Sequence, residues 1–362
     1  MPEHPLDAAN LRPRVQAIVD QFLGEQTSIL LAVGTDVEPL LDSVTSLLSG
    51  GKRLRPAFCY WGWRGAASSD QLTDSAFDNA VMQAAGSLEF LQACALIHDD
   101  VMDGSDTRRG QPAAHRQFAS MHRGNQWAGG SDRFGEGAAI LLGDLCLSWA
   151  DELLLTSKLP QESLSQAKAV YNEMRTELMA GQYLDLLEQA RGGGSIERAL
   201  RVVRYKSAKY TIERPLHIGA AIAQAPQSVF EAYSGYGLPL GEAFQLRDDI
   251  LGVFGDPEIT GKPAGDDLRE GKRTVLIAIA TERANETQLK ELREKLGDEH
   301  LNLDGVSTLR EVIQSTGALD YTENLIGELL DQSIESLNSA DLEKGAKEVL
   351  TNLAYAATKR KV

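Results

Sequence analysis

The acidic residues most able to do chemistry in this sequence sit in two clusters, each on an apolar stretch. The first is Leu96-Ile97-His98-Asp99-Asp100-Val101-Met102-Asp103. Asp99 and Asp103 are four apart, so on a helix they stack on one face, with Asp100 rotated from them by about 100°. Three carboxylates at the C-terminal end of an apolar helix repel one another and oppose the helix dipole. A divalent cation resolves both conflicts. Oxygen donors of this kind suit Mg2+, which keeps waters and takes further ligands from phosphates. Taken alone, a DDxxD of this sort is equally well explained as a solvated acidic helix end. The second cluster, Phe244-Gln245-Leu246-Arg247-Asp248-Asp249-Ile250-Leu251-Gly252, repeats the Asp-Asp pair but has glycine at the position of the third acid.

Basic residues at four places indicate what such metals would hold. Gly50-Gly51-Lys52-Arg53-Leu54-Arg55-Pro56 sets three cations around a glycine turn before a helix. There, backbone N–H groups and the helix N-terminus favour an anion. Arg108-Arg109-Gly110 follows the first acidic cluster, and Lys206-Ser207 and Gly261-Lys262 lie further on. Each basic residue alone reads as a solvated surface charge. Together, acids for metal and bases for phosphate describe a diphosphate site.

The elements that must position these groups are helical. Apolar residues recur with helical spacing over 11–48 as one or two helices, then over 54–63, 75–103, 138–155, 162–189, 196–224 and 227–254. Helical patterns resume from about 275, weakest over 285–320. Residues 121–137 and 255–274 read as Gly-rich loops, and Arg191 to Ser195 as a break. Hydrophobic residues make up 43% and aromatics only 6%, enough for a core with little sign of sheet. A net charge of −16 argues against a nucleic-acid partner, and bound cations would reverse the field at an anion site. Cys59, Cys94 and Cys146 show no CxxC spacing, which fits a reducing compartment rather than a disulfide or zinc framework. No signal-peptide pattern opens the sequence, and no run of 18 uncharged apolar residues occurs, so the expectation is a cytoplasmic protein without a membrane span.

These segments together resemble the trans-prenyl-diphosphate synthases. The matching residues are GGKRLRP at 50–56, DDVMD at 99–103 with RRG at 108–110, GQYLD at 181–185, KS at 206–207, FQLRDD at 244–249 and GKPAGDDLREGKRT at 261–274. They occur in that family's order and span most of the chain. The resemblance implies an all-α fold, the isoprenoid-synthase helical bundle around a deep central cavity, as a homodimer with one domain over 1–362. It implies condensation of isopentenyl diphosphate with allylic diphosphates, with about three Mg2+ per active site between carboxylates and phosphates.

Residue by residue, the resemblance implies that Asp99, Asp100 and Asp103 bind two of the magnesium ions, and that Asp248, supported by Asp249, binds another. Arg108, Lys206, Lys262 and Lys272 would contact the allylic diphosphate. Lys52, Arg53, Arg55 and Arg109 would hold isopentenyl diphosphate. Gln182 and Gln245 would line the reacting centre, with Ser207 and the Lys206 carbonyl beside the developing cation. Two positions depart from the family. Gln92 stands where a histidine ligand to isopentenyl diphosphate is common; it keeps an amide donor without charge. Gly252 removes the third acid of the second cluster.

Product length is read down the helix that carries Asp99. Ala95 and Cys94, roughly 6–7 Å below Asp99, are small where an aromatic would stop a fifteen-carbon chain. Leu91 and Leu88, roughly 12–16 Å below, would form the next floor and fit a twenty-carbon product. Small residues also serve plain helix packing, so farnesyl and longer products stay open. A terpene cyclase would share the DDxxD but needs no second diphosphate site. A non-catalytic partner subunit would be expected to lose an aspartate cluster.

Overall fold

The computed structural model describes residues 6–192, 194–256, 265–298 and 300–359. The chain opens with α1 (Leu11–Leu31), α2 (Glu38–Leu48), α3 (Leu54–Ala66), α4 (Ser69–Thr73) and α5 (Ser75–Asp103). A small antiparallel hairpin follows, β1 (Thr107–Arg108) and β2 (Gln111–Pro112). Next come α6 (Ala114–Gly124), α7 (Ser131–Leu155), α8 (Gln161–Arg191) and α9 (Ile196–Val202). A π-helical stretch, Val203–Glu213, joins α9 to α10 (Arg214–Ile222) without interruption. The rest is α11 (Gln227–Phe254), α12 (Asp266–Arg269), α13 (Val275–Arg283), α14 (Glu286–Lys295), α15 (Leu303–Ser315), α16 (Ala318–Ser339) and α17 (Lys344–Thr358).

The central helix is α5. Asp74 caps it, its side chain accepting from the Ala76 and Phe77 N–H groups at 2.8 and 3.2 Å. Its residues from Ala80 to Ile97 are mostly buried because α1, α3 and α7 pack around it. By length and composition α5 could cross a membrane, yet here it is largely enclosed by protein. It ends at Gly104, whose φ of +67° suits a residue without Cβ, and Asp103 is its last residue. The three acids therefore occupy the final turn, as the spacing predicts.

Two apolar clusters make the interior. One gathers α1, α3, α5, α7, α8, α10 and α17 around residues such as Phe58, Trp63, Phe90 and Tyr171. The other gathers the C-terminal half of α11 with α13 and α15. α11 belongs to both: Tyr233, Tyr236 and Leu240 to the first, and Leu246 and Ile250, which flank Asp248-Asp249, to the second.

The expected loop over 121–137 is mostly helix instead. α6 runs to Gly124 and α7 starts at Ser131, with His122, Trp127 and Phe134 clustering edge-on at the turn. Its glycines serve packing as well as turning. A Cβ on Gly135 would lie 2.2 Å from the His115 carbonyl oxygen, so α6 and α7 can approach only because it is absent. The weakly patterned 285–320 region contains α14 and α15, each capped by an asparagine, Asn285 and Asn302. The hairpin was not read from the sequence. Arg109 and Gly110, with φ of +53° and +74°, form its two-residue turn.

Candidate active site

The acids of α5 divide by direction. Asp100 is buried and binds the Arg108 guanidinium, 3.0 Å from its Nε. β1 carries Arg108 there, directly after the left-handed Gly104 ends α5. Asp99 faces a different set of partners. Its Oδ1 accepts from Gln182 at 2.8 Å and from the Lys206 ammonium at 2.9 Å. Burial alone would raise the Asp99 pKa, but Lys206, Lys272 and Arg108 outweigh it and hold the carboxyl at about 2. Asp103 is the reverse. Burial first, then the Asp99 charge, pushes it up to about 6.

Lys206 reaches this position through a close approach of backbones. A Cβ on Gly181 of α8 would lie 2.5 Å from the Lys206 nitrogen. The π stretch therefore lies directly on α8, and Lys206 bridges Asp99 and Asp185, the latter at 2.6 Å. π-helical segments often mark functional sites for this reason: the widened turn re-aims a few side chains. Lys272 is the second ammonium, half-buried like that of Lys206. It pairs with Glu270 at 2.7 Å and lies 3.8 Å from Asp103 and 3.7 Å from Asp267.

The second acidic pair lies across from the first. Asp249 accepts from Gln245 at 2.8 Å, and burial, with Asp267 and Asp248 adding to it, pushes its carboxyl up to about 8. Asp99, Asp185, Lys206, Asp248, Asp249 and Lys272 line one chamber of about 810 Å³, with Lys52, Arg108, Ser207, Gln245 and Asp267. A second cavity, of about 520 Å³, shares Lys52, Asp99, Lys206, Ser207, Gln245 and Asp248 with the first. Arg55, Arg109, Gln92 and Gln182 also border it. Its apolar lining comes from Leu91, Cys94, Ala95, Leu178, Tyr210 and Phe244. Arg55 stacks over the Tyr210 ring at 4.0 Å and donates to Thr211, while Arg109 donates to the Leu47 and Gly50 carbonyls.

Several expectations change against this geometry. Arg53 borders the second cavity, but its guanidinium turns to buried partners. It is 3% exposed and its guanidinium is bound to Glu89 and the Leu48 carbonyl. The cause is local, since Arg53 caps α3 with a φ of +54°, which turns its side chain inward. Leu88 is buried away from the cavity, whereas Leu91, Cys94 and Ala95 line it. Asp100 and Asp103 border neither chamber's surface. Lys262 lies outside the described residues. Asp185, Tyr210, Phe244 and Asp267 were missed by the sequence reading. Asp185 was in view as the last residue of the GQYLD segment, but nothing in one dimension brings it to Lys206.

The donor set fits a hard divalent cation. Both oxygens of Asp103 and Oδ2 of Asp249 are buried without a hydrogen-bond partner, and buried carboxylate oxygens of that kind need a cation or a proton. Among the described residues no three Asp, Glu, His or Cys side chains converge into a ready-made cage. That suits Mg2+, which uses one or two carboxylates together with water and phosphate oxygens.

The family model for polyprenyl synthetase matches residues 37–313. The chain belongs to the polyprenyl synthetase family. It is thus a trans-prenyltransferase, and its isoprenyl-synthase helical bundle is the fold of its solved relatives. A solved geranylgeranyl pyrophosphate synthase from Corynebacterium glutamicum, complexed with isoprenyl diphosphate and magnesium, superposes with a TM-score of 0.93 at 40% identity, covering 97% of this chain and 99% of that one. The geranylfarnesyl diphosphate synthase of Aeropyrum pernix is 30% identical over 86% of this chain and 90% of its own length. The geranylgeranyl diphosphate synthase of Methanosarcina mazei is 31% identical over 80% of each. This polyprenyl synthetase thus carries its acid clusters and its apolar cavity side by side, which is what a family that lengthens prenyl chains requires.

Proposed function

We propose that this polyprenyl synthetase makes geranylgeranyl diphosphate, by head-to-tail condensation of isopentenyl diphosphate with allylic diphosphates. The observation that carries the reading is that the charged chamber and the apolar cavity join at Asp99, Lys206 and Asp248. Ionisation at the junction would leave the prenyl tail in the apolar part. Relatives named for geranylgeranyl diphosphate support the product length. So does the cavity, in which Cys94 and Ala95 leave room and Leu91, about 12 Å below Asp99, serves as the floor.

Asp99, Asp103 and the Asp248–Asp249 pair would hold magnesium, which would supply Lewis acidity towards the departing diphosphate. Lys206 and Lys272 add fixed positive charge there, already oriented by Asp185 and Glu270, so no reorganisation is needed as charge develops. The allylic C–O bond breaks with both electrons leaving on the diphosphate. The isopentenyl double bond then supplies the electron pair of the new C–C bond. The proton lost from the resulting cation passes to the departed diphosphate, so no side-chain base is used. Lys52, Arg55 and Arg109 hold the second diphosphate and fix the double bond in a near-attack position. Leu91, Leu178 and Phe244 exclude water that would capture the cation.

The reading also takes a trio of magnesium ions, a contact from Lys262, one domain over 1–362 and a cytoplasmic setting, the last supported by three free, buried cysteines. It takes a homodimer, supported by exposed Ile140 and Leu141 on α7 and Met179 and Tyr183 on α8. The test combines purified protein, Mg2+, isopentenyl diphosphate and each allylic primer, with product mass measured. No elongation from any primer would defeat the synthase reading, and a product of another length would defeat only the chain-length part.

A further inference from the structure

Three described carboxylates surround the Lys272 ammonium, and they hold it unequally. Glu270 pairs with it at 2.7 Å, while Asp267 at 3.7 Å and Asp103 at 3.8 Å lie beyond hydrogen-bond length. Glu270 and Lys272 are two residues apart, a spacing at which side chains diverge on a helix. They meet because Gly271 between them is left-handed, with φ of +71°. The turn is fixed on both sides of it, since the Glu270 and Lys272 N–H groups return to the Asp266 and Asp267 carbonyls, each at 3.0 Å. Glu270 also has a contact far along the chain. Its Oε1 accepts from the Ser105 hydroxyl at 2.7 Å. Ser105 is 6% exposed and follows Gly104, and its own N–H returns to the Asp100 carbonyl at 3.0 Å. That hydroxyl is thus fixed to the end of α5, beside the first acid cluster.

We propose that Glu270, steadied by Ser105, is a positioning residue for the allylic diphosphate: it keeps the Lys272 ammonium off Asp103 and available to the chamber. This rests on the reading that Lys272 meets the departing diphosphate, and it names the pair of groups that govern that lysine. The need for a holder lies in Asp103. Both its oxygens are buried without a hydrogen-bond partner, which makes the carboxylate a strong attractor for a cation 3.8 Å away. A lysine is a point charge on a flexible stem, so without Glu270 the ammonium closes that gap. It would then neutralise an acid that the magnesium reading needs, and the chamber would lose a fixed positive charge. The Glu270 charge holds the ammonium, and the Ser105 hydroxyl holds the Glu270 carboxylate. Lys272 borders the chamber and not the second cavity, whereas Arg55 and Arg109 border the second cavity and not the chamber. Disturbing Glu270 should therefore act on one diphosphate and spare the other. A plain structural clip between α5 and the turn after α12 would make no such distinction.

The test compares Ser105→Ala, Glu270→Gln, their double variant and Lys272→Ala in the full-length protein. It reads kcat, the KM of each substrate, the affinity for inorganic diphosphate in excess Mg2+ by calorimetry, and the melting temperature without ligands. Glu270→Gln keeps an acceptor for Ser105 but loses the charge that holds Lys272. It is expected to weaken diphosphate and to lower kcat, each by about tenfold or more, with the KM for isopentenyl diphosphate within about twofold. Ser105→Ala should show the same pattern at about three- to tenfold, with the melting temperature within about 2 °C of wild type. The double variant should bind diphosphate no more weakly than Glu270→Gln alone, because both changes act through one ammonium. Wild-type kcat and diphosphate affinity in Glu270→Gln would overturn the proposal. So would losses that multiply in the double variant, or a Ser105→Ala protein that loses melting temperature and nothing else. Wild-type diphosphate affinity in Lys272→Ala would instead overturn the reading of Lys272 on which the proposal rests.

Discussion

Replacing Arg53 separates a structural arginine from a substrate-binding one. Arg53 and Glu89 are each only 2% exposed at the side chain, and they bind one another. Glu89 Oε1 has no other partner. Arg53→Met removes the cation and leaves a buried carboxylate uncompensated, a change that costs about 3–5 kcal/mol. For a chain of this length the unfolding entropy is roughly 0.8 kcal/mol per kelvin, so the melting temperature should fall by about 4–6 °C. Arg53→Met combined with Glu89→Leu removes both charges and should recover most of that loss, because an apolar pair of similar volume replaces a desolvated ion pair. Thermal melts of the three proteins give the stability terms, and steady-state assays give the KM for isopentenyl diphosphate. The expected pattern is a stability change with KM within about twofold. An unchanged melting temperature with a raised KM would put the guanidinium at the substrate and refute the assignment.

Ala95→Phe, one turn below Asp99 in the apolar cavity, should shorten the product to fifteen carbons. Mass spectrometry of the products checks it, and an unchanged length would remove Ala95 from the tunnel. Gly181→Ala forces a Cβ to within 2.5 Å of the Lys206 backbone, so the π stretch must shift. That should destabilise the fold by about 1–3 kcal/mol and lower kcat by about a hundredfold, read from melts and initial rates. Lys206→Ala should lower kcat by about 10²–10³-fold while the protein stays folded, because Asp99 and Asp185 would lose the ammonium between them. Near-normal kcat in that variant would remove Lys206 from the chemistry.

How far the sequence reached depended on whether a residue's role is local. The stacking of Asp99 above Asp103 follows from helical spacing, and α5 spans Ser75–Asp103 as the apolar pattern over 75–103 predicts. The direction of Arg53 does not follow, because a left-handed cap residue redirects its side chain in a way that residue type does not reveal. Glycines misled in the same manner. Gly135 and Gly143 suggested turns or nothing, yet each admits a neighbour, the His115 carbonyl and the His98 ring. Asp185 became visible only once Gly181 let two backbones meet. Gly252 reads as an absence in one dimension. In three, the space beside it belongs to Asp267.

The π-helical stretch over Val203–Glu213 has a consequence for how this protein can vary. A π turn is an α-helical turn carrying surplus residues, so the segment acts as a phase offset between α9 and α10. Upstream, Arg204 is engaged with Glu242; downstream, Lys209 and Arg214 both grip Glu177 on α8. Lys206, Ser207, Tyr210 and Thr211 face the cavity between these two anchorages. Losing a single residue here would relax the segment towards ordinary α geometry and rotate one anchorage against the other by about 100°. Point substitutions in this segment can be graded in effect, whereas a one-residue deletion is all or nothing. The numbering from Arg204 to Arg214 is thus a functional property of the chain, held as firmly as the identity of the lysine it carries.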